Sequence, residues 1–188
     1  MFTLTDKPIE QIQINGRKYD VDMSFDNILR LIDMLDDNEL SDAIQIITGI
    51  QMLFGTQLDM PLAEQAEAFN EAYLSLIGAE QKEVEYDILG NPMPTQADGD
   101  NEVWYDFKQD AKYIYASFMQ DYGIDLIEQQ GKLHWYKFQA LLAGLSEDTK
   151  FKKVLEIRQM ELPTGKGSGK QRKAIEELKK AYELKPKK

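Results

Sequence analysis

The sequence predicts a mainly α-helical fold with a small N-terminal β-hairpin. Apolar residues recur at helical spacing along most of the 188-residue chain, and an Asn-Gly pair separates two short alternating runs near its start. We expect a compact domain of about seven helices, with a basic amphipathic helix at the C terminus. The chain is 43% hydrophobic and has no cysteine. A core of this size needs no disulfides, and the composition excludes a disulfide framework and a Cys nucleophile.

The hairpin prediction rests on Asn15-Gly16, because a type I′ turn needs two residues with positive φ. A two-residue turn pairs Ile14 with Arg17 and Ile12 with Tyr19. This register places four apolar side chains on one face: Ile12, Ile14, Tyr19 and Val21.

Helical spacing and capping residues predict the remaining elements. Ser24 and Ser41 are candidate N-caps, Gly55 and Gly123 are candidate stops, and Ser146 is the candidate cap of a helix with Glu147 and Asp148 in its first turn. The predicted helices cover residues 25–35, 41–54, 61–76 (ending at Gly78), 104–122, 135–145, 147–157 and 170–184.

One helical domain with a C-terminal tail is expected. Residues 1–162 form the helical domain with the hairpin, and a Gly- and Pro-rich stretch near 80–102 is an exposed loop within it. Residues 163–188 form a flexible linker, with the run Gly165-Lys166-Gly167-Ser168-Gly169, and the basic amphipathic helix.

The charge is strongly segregated along the chain. The net charge is −11, of which residues 1–110 contribute −17 and residues 111–188 contribute +6. An acidic body argues against general nucleic-acid binding, which depends on clustered Lys and Arg. Opposite charges at the two ends favour head-to-tail self-association.

No constellation of catalytic or metal-binding residues is found in the sequence. The Gly165–Lys170 run lacks the first glycine and the hydroxyl of a phosphate-binding loop, so a linker is favoured. His134 is the only histidine, and its aromatic surroundings favour a structural role over general-base catalysis. The acidic residues at 33–42 are typical of a solvated face. We therefore expect a protein that is not an enzyme and has no cofactor or metal.

No signal peptide or membrane-spanning helix is predicted, so we expect a soluble cytosolic protein without a membrane partner.

Three segments resemble a bacteriophage and prophage family called gene product fifteen. They are Gly131-Lys-Leu-His-Trp-Tyr-Lys-Phe-Gln-Ala-Leu-Leu-Ala-Gly-Leu145, continued by Ser146-Glu-Asp-Thr-Lys-Phe-Lys-Lys153; Asp121-Tyr-Gly-Ile-Asp125; and the Asn15-Gly16 hairpin followed by a helix. That family in turn resembles the tail assembly chaperones of siphophages.

The resemblance implies a non-enzymatic chaperone. Such a protein binds and solubilises the tape-measure protein until subunits of the major tail protein polymerise around it, and it is absent from the mature virion. The alternatives are an acidic inhibitor that mimics nucleic acid, suggested by the −17 segment, and a minor structural component of the tail. For partner contacts we single out Trp135 and Tyr136, whose residue types are enriched at interfaces, and the basic Lys170, Arg172 and Lys173.

Overall fold

The structure, a computed structural model, describes residues 4–5, 7–77, 104–165 and 168–186. It confirms a mainly α-helical chain with a two-stranded hairpin. Within the described residues the elements are β1 (Gln11–Ile14), β2 (Arg17–Asp20), α1 (Phe25–Leu35), α2 (Asp42–Phe54), α3 (Leu62–Leu76), α4 (Ala111–Tyr122), α5 (Trp135–Ala143), α6 (Lys150–Gln159) and α7 (Gly169–Ala181). The C-terminal basic helix, α7, is one of these seven.

The chain divides into two compact units. The first comprises Met1–Gly99 and Gln130–Phe138, and the second comprises Asp100–Gln129 and Gln139–Lys188. Helix α5 therefore begins in the first unit and ends in the second. The predicted domain boundary at residue 163 stays a prediction. The predicted loop near 80–102 and the stop at Gly78 lie outside the described residues.

The hairpin has the predicted register. β1 and β2 are antiparallel, with Ile12 opposite Tyr19 and Ile14 opposite Arg17. Asn15 and Gly16 have φ of 48° and 79°, the positive values that a type I′ turn requires.

Two polar contacts join α1 and the segment just before it to the end of α2 in the first unit. The side-chain amide of Asn27, which is buried, donates to the carbonyl of Met52 at 2.8 Å, and the main-chain N–H of Asp22 donates to the carbonyl of Leu53 at 2.8 Å. Carbonyls in the last turn of a helix have no partner within the helix, so these bonds satisfy acceptors that would otherwise be left open.

Residues 130–138 return to the first unit beside the start of α1. Phe25 N–H donates to the carbonyl of Leu133 at 2.9 Å, and Trp135 N–H donates to the carbonyl of Met23 at 2.7 Å. The rings of Phe25 and Phe138 stack with their centroids 4.9 Å apart. A segment more than 100 residues distant in sequence thus closes over the N terminus of α1.

Ser24 precedes α1 as predicted, but its hydroxyl does not cap the helix. The hydroxyl donates to Asp22 Oδ1 at 2.6 Å, which also accepts from the Ser24 N–H at 3.0 Å. Asp22 therefore holds the Ser24 hydroxyl in a local turn, and the hydroxyl does not accept a hydrogen bond from the first turn of α1.

The predicted start of α4 is wrong, because the helix begins at Ala111 rather than near Trp104. Asp106 Oδ1 accepts from the N–H groups of Lys108 and Gln109, and Asp110 Oδ2 accepts from the Asp106 N–H at 3.1 Å. These side-chain bonds compete with helical bonds and hold the approach to α4 as turns.

The predicted cap of α6 is also wrong. Ser146 donates its N–H and its hydroxyl to the carboxylate of Asp121, and the helix begins at Lys150 after Thr149. Thr149 Oγ1 accepts from the Lys152 N–H and donates to the Ser146 carbonyl. Glu147 and Asp148, expected in the first turn, therefore precede the helix.

Candidate partner-binding surfaces

Trp135 and Tyr136, singled out as partner contacts, are core residues. Their exposed fractions are 3% and 5%. Tyr136 Oη donates to the carbonyl of Leu76, the last residue of α3, at 2.7 Å, and Trp135 stacks on Phe138 at 5.7 Å. Neither side chain is presented as a surface contact, so we correct that expectation. Residue type alone does not separate core aromatics from interface aromatics, because both environments favour Trp and Tyr.

The three predicted basic contacts lie on the surface of α7. Lys170, Arg172 and Lys173 are all exposed, and Arg172 pairs with Glu176 one turn later at 2.9 Å. The structure thus leaves them accessible, and their contact with a partner stays a prediction. Within α7 five cations stand against two carboxylates: Lys170, Arg172, Lys173, Lys179 and Lys180 against Glu176 and Glu177.

Helix α7 is held on its unit through main-chain acceptors. None of its own residues is buried. Arg158 Nε donates to the Tyr182 carbonyl at 2.7 Å, and Lys179 Nζ donates to the Met160 carbonyl at 2.6 Å. The side chain of Gln109 exchanges two hydrogen bonds with the main chain of Lys185, at 2.8 and 2.9 Å. The helix is thus attached by polar bonds at its end rather than by a buried apolar face.

An aromatic and cationic cluster lies beside this attachment. Lys150 Nζ donates to Tyr182 Oη at 2.7 Å and stands 4.6 Å from the centre of that ring. The rings of Tyr113 and Tyr182 meet edge to face at 6.0 Å. Lys112 lies over Tyr113 at 4.9 Å. A lysine over an aromatic face gains cation–π attraction, so the cluster adds to the attachment of α7.

Arg158 is a structural residue that the sequence analysis missed. It is 8% exposed and pairs with Asp110, which is 1% exposed, while its Nη1 also donates to the Trp104 carbonyl at 2.8 Å. The signal was present in the sequence, since Arg158 continues the buried spacing of Phe151 and Val154 on α6. A cation at that register indicates a buried ion pair.

The first unit carries an acidic segment free of cations. Between Leu31 and Ile77 the sequence contains no Lys or Arg and nine carboxylates: Asp33, Asp36, Asp37, Glu39, Asp42, Asp59, Glu64, Glu67 and Glu71. All of this segment is described, and it covers the end of α1, all of α2 and all of α3. Such a surface has a negative potential that attracts cationic partners.

Large aliphatic side chains are exposed in both units. On α2, Ile44 and Ile47 stand one turn apart and are 50% and 41% exposed. Ile50 and Leu53, in the C-terminal half of α2, are fully buried. Other large aliphatic residues with exposed side chains are Leu4, Ile9 and Ile127, Leu62 and Leu74 on α3, and Leu178 on α7. The C-terminal half of α2 is therefore in the core, whereas Ile44 and Ile47 in its N-terminal half are apolar and uncovered.

His134 is hydrogen-bonded through both ring nitrogens. Its Nδ1 accepts from the Tyr136 N–H at 3.2 Å, and its Nε2 lies 3.4 Å from the Ile9 carbonyl. Burial lowers the pKa of His134 below its ordinary 6.5, and the hydrogen bond to the Ile9 carbonyl opposes this shift to a smaller extent, while the charges of Lys137 and Glu10 have still smaller effects of opposite sign. The bonds assign a neutral ring with its proton on Nε2. The arrangement fits the structural role favoured by the sequence.

Among the residues that the structure describes, no group of three or more His, Asp or Glu side chains could hold a metal ion. Within those ranges no helix combines the length and apolar character needed to cross a bilayer.

A family model described as Bacteriophage Gp15 protein matches residues 4–184, which span both units. No curated protein and no solved structure matches the chain.

Proposed function

The chain belongs to the Bacteriophage Gp15 protein family, and from this premise we propose that it is a non-enzymatic tail assembly chaperone. In this proposal it binds and solubilises the tape-measure protein until tail-tube subunits polymerise. The major tail protein then displaces it from its client. It acts in the host cell cytoplasm and is absent from the mature virion.

The observation that carries the proposal is the extent of the family match. The matched region includes the hairpin, all seven described helices and residues of both units, so the family assignment applies to the fold as a whole. The resemblance of this family to siphophage tail assembly chaperones supports a role in assembly. A physical argument supports the same role. A carrier of a long apolar client needs apolar contact area for binding and a high net charge for solubility. The exposed aliphatic residues and the net charge of −11 agree with both needs.

Co-expression with the tape-measure protein of the same phage or prophage tests the proposal. We expect the client to move from the insoluble to the soluble fraction and to co-purify with the chain. Addition of polymerising major tail protein should then release the chain. A client that stays insoluble and does not co-purify would contradict the proposal.

The predicted basic contacts can be tested in the same assay. The triple substitution Lys170→Glu, Arg172→Glu and Lys173→Glu should reduce co-purification. A matched control with the same change in charge replaces Arg17, Lys18 and Lys137, which are exposed in the first unit. Truncation at Pro163 is a poorer test, because it also removes the Tyr182 carbonyl that Arg158 binds.

The absence from the virion has its own test. Mass spectrometry of purified particles should detect the tape-measure and major tail proteins but not this chain. Recovery of the chain in a fixed ratio to the tail proteins would instead support the alternative of a minor structural component.

The cation-free segment 31–77 favours one further candidate, an acidic inhibitor that mimics nucleic acid. A mimic would displace double-stranded DNA from a host DNA-binding protein in a competition assay. The exposed Ile44 and Ile47 argue against it, because a phosphate-like surface does not need aliphatic groups among its carboxylates. DNA complexes that survive an excess of the chain would eliminate this candidate.

A further inference from the structure

The outward face of α2 is an uncovered apolar surface. Ile44 and Ile47 are neighbours on one helical face, since residues three apart lie one turn from each other. Both are about half exposed in the single chain, although the buried C-terminal half of the same helix already anchors it in the first unit. The anchoring of α2 therefore does not require them, and burying them against another surface would be favourable.

The charges around this face restrict what can cover it. Asp37 and Glu39 lie in the turn before α2 and Asp42 in its first turn, and all three are exposed. The neighbouring helix α3 adds Glu64, Glu67 and Glu71. With no cation between residues 31 and 77, an acidic partner would be repelled and a basic amphipathic helix would be attracted.

Helix α7 has that chemistry. Lys170, Lys173 and Lys180 are exposed and share one helical face, because they are spaced three and seven residues apart. The helix carries a net charge of +3, with five cations against two carboxylates. Its main-chain attachments leave these side chains outside the bonds that hold it.

We propose that α7 of one copy docks on the α2 surface of a second copy, joining copies head to tail. In this contact the ammonium groups of these lysines face the carboxylates beside α2, and their aliphatic stems cover part of Ile44 and Ile47. The interface is heterologous, because it uses two different surfaces. Each pair therefore retains one open α2 surface and one open α7, and association can continue beyond a dimer.

Sedimentation velocity of the purified chain tests the proposal without any client. We expect the sedimentation coefficient to rise with protein concentration at about 50 mM NaCl and this rise to be lost at about 0.5 M NaCl, where charges are screened within about 4 Å. The variant Lys170→Glu, Lys173→Glu and Lys180→Glu should remain a monomer. The control variant Arg17→Glu, Lys18→Glu and Lys137→Glu, with the same change in charge, should still associate.

The apolar part of the surface has a separate test. Ile44→Ser with Ile47→Ser should weaken association, whereas Met119→Ser with Ile127→Ser, two exposed apolar residues of the second unit, should not. Circular dichroism spectra that match the wild type establish that each variant is folded. A wild-type chain that remains monomeric at low salt would overturn the proposal.

Cross-linking identifies the contact directly, because the chain has no native cysteine. One preparation carries Ile47→Cys and the other carries Lys173→Cys, and a short bis-maleimide is added to each alone and to their mixture. The proposal expects a mixed dimer well above the products of either preparation alone. Equal yields in all three samples would overturn it. Because no client is present, either result leaves the co-expression test of the chaperone independent.

Discussion

Arg158 and Asp110 form a buried bidentate ion pair. Arg158 Nη1 and Nη2 donate to the two carboxylate oxygens of Asp110 at 2.7 and 2.8 Å. The same guanidinium donates to the carbonyls of Trp104 and Tyr182, so one side chain connects the approach to α4, α6 itself and the end of α7. The buried guanidinium is tolerated because its N–H donors bind the carboxylate in a planar, bidentate arrangement.

Removing this guanidinium should destabilise the second unit severely. Arg158→Met leaves the Asp110 carboxylate buried without its cation, a change that costs about 3–5 kcal/mol in the free energy of unfolding. Urea denaturation followed by circular dichroism measures it. Arg172→Met is the control, because its pair with Glu176 is exposed and is worth less than about 1 kcal/mol. Equal losses in the two variants would contradict the structural role of Arg158.

Gly49 allows α2 and α3 to approach closely. A Cβ at Gly49 would lie 2.5 Å from Cε2 and 2.6 Å from Cζ of the buried Phe69 ring. Gly49→Ala should therefore destabilise the chain by about 1–3 kcal/mol, despite the better helix propensity of alanine. Thermal unfolding of Gly49→Ala is compared with Gly169→Ala, where the added Cβ meets no atom within 4 Å. Partial recovery in Gly49→Ala with Phe69→Leu would establish the steric cause.

The hydroxyl of Tyr136 should contribute to stability rather than to partner binding. Tyr136→Phe leaves the ring in the core but removes the donor to the Leu76 carbonyl, at a cost of about 1–3 kcal/mol for a buried acceptor left open. Chemical denaturation measures the loss, and Tyr115→Phe, whose hydroxyl reaches Asp125 at the surface, serves as the comparison. Lower client binding at unchanged stability would restore Tyr136 as a contact residue.

His134 should make stability fall in mildly acidic solution. Burial lowers its folded-state pKa below 6.5, so the unfolded chain takes up a proton that the folded chain refuses. Above pH 6.5 the ring is neutral in both the folded and the unfolded chain, so it causes no loss of stability there. As pH falls through 6.5 towards the folded pKa, the unfolded state is favoured. Melting temperatures between pH 8 and pH 5 should drop less for His134→Gln than for wild type, since both share the carboxylates. If the melting temperatures of the two proteins fell in parallel with pH, the result would be inconsistent with a lowered pKa of His134.

Like charges on α3 should be mutually destabilising. Glu67 has Glu64 three residues before it and Glu71 four residues after it, and all three are exposed. Glu67→Gln removes two repulsive pairs and should raise stability by about 0.5 kcal/mol at low salt. The control Glu156→Gln removes a carboxylate that has Lys152 and Lys153 at the same spacings, so it should have the opposite sign. Both effects should vanish in about 0.5 M NaCl. A stabilisation of Glu67→Gln that persists in high salt would exclude the electrostatic explanation.

Sequence patterns predicted an element correctly where the interactions that determine the element are local. The turn at Asn15-Gly16 depends on two residues, and the register of the hairpin follows from it. The starts of α4 and α6 depend on carboxylates that leave no periodic pattern. Asp121 binds Ser146 from 25 positions away, so the capping motif at Ser146 could not be judged from its neighbours.

The candidate partner contacts also divide into those whose environment the local sequence predicts and those whose environment depends on distant segments. Lys170 and its neighbours lie on the surface, which the sequence makes predictable because charged residues are rarely buried without a partner. Trp135 was misjudged because its burial depends on distant segments, such as Met23, which its main chain binds. The cation-free segment was readable in the sequence, but averaging charge over residues 1–110 concealed it.

The main-chain acceptors that hold α7 have a consequence for sequence divergence. A carbonyl oxygen is present whatever side chain the residue carries, so residues 160 and 182 can change without loss of the bonds from Lys179 and Arg158. The outward positions of α7 carry none of these bonds. Relatives of this protein can therefore acquire new binding specificities on this helix through surface substitutions alone, while Arg158 and Gln109 keep it in place.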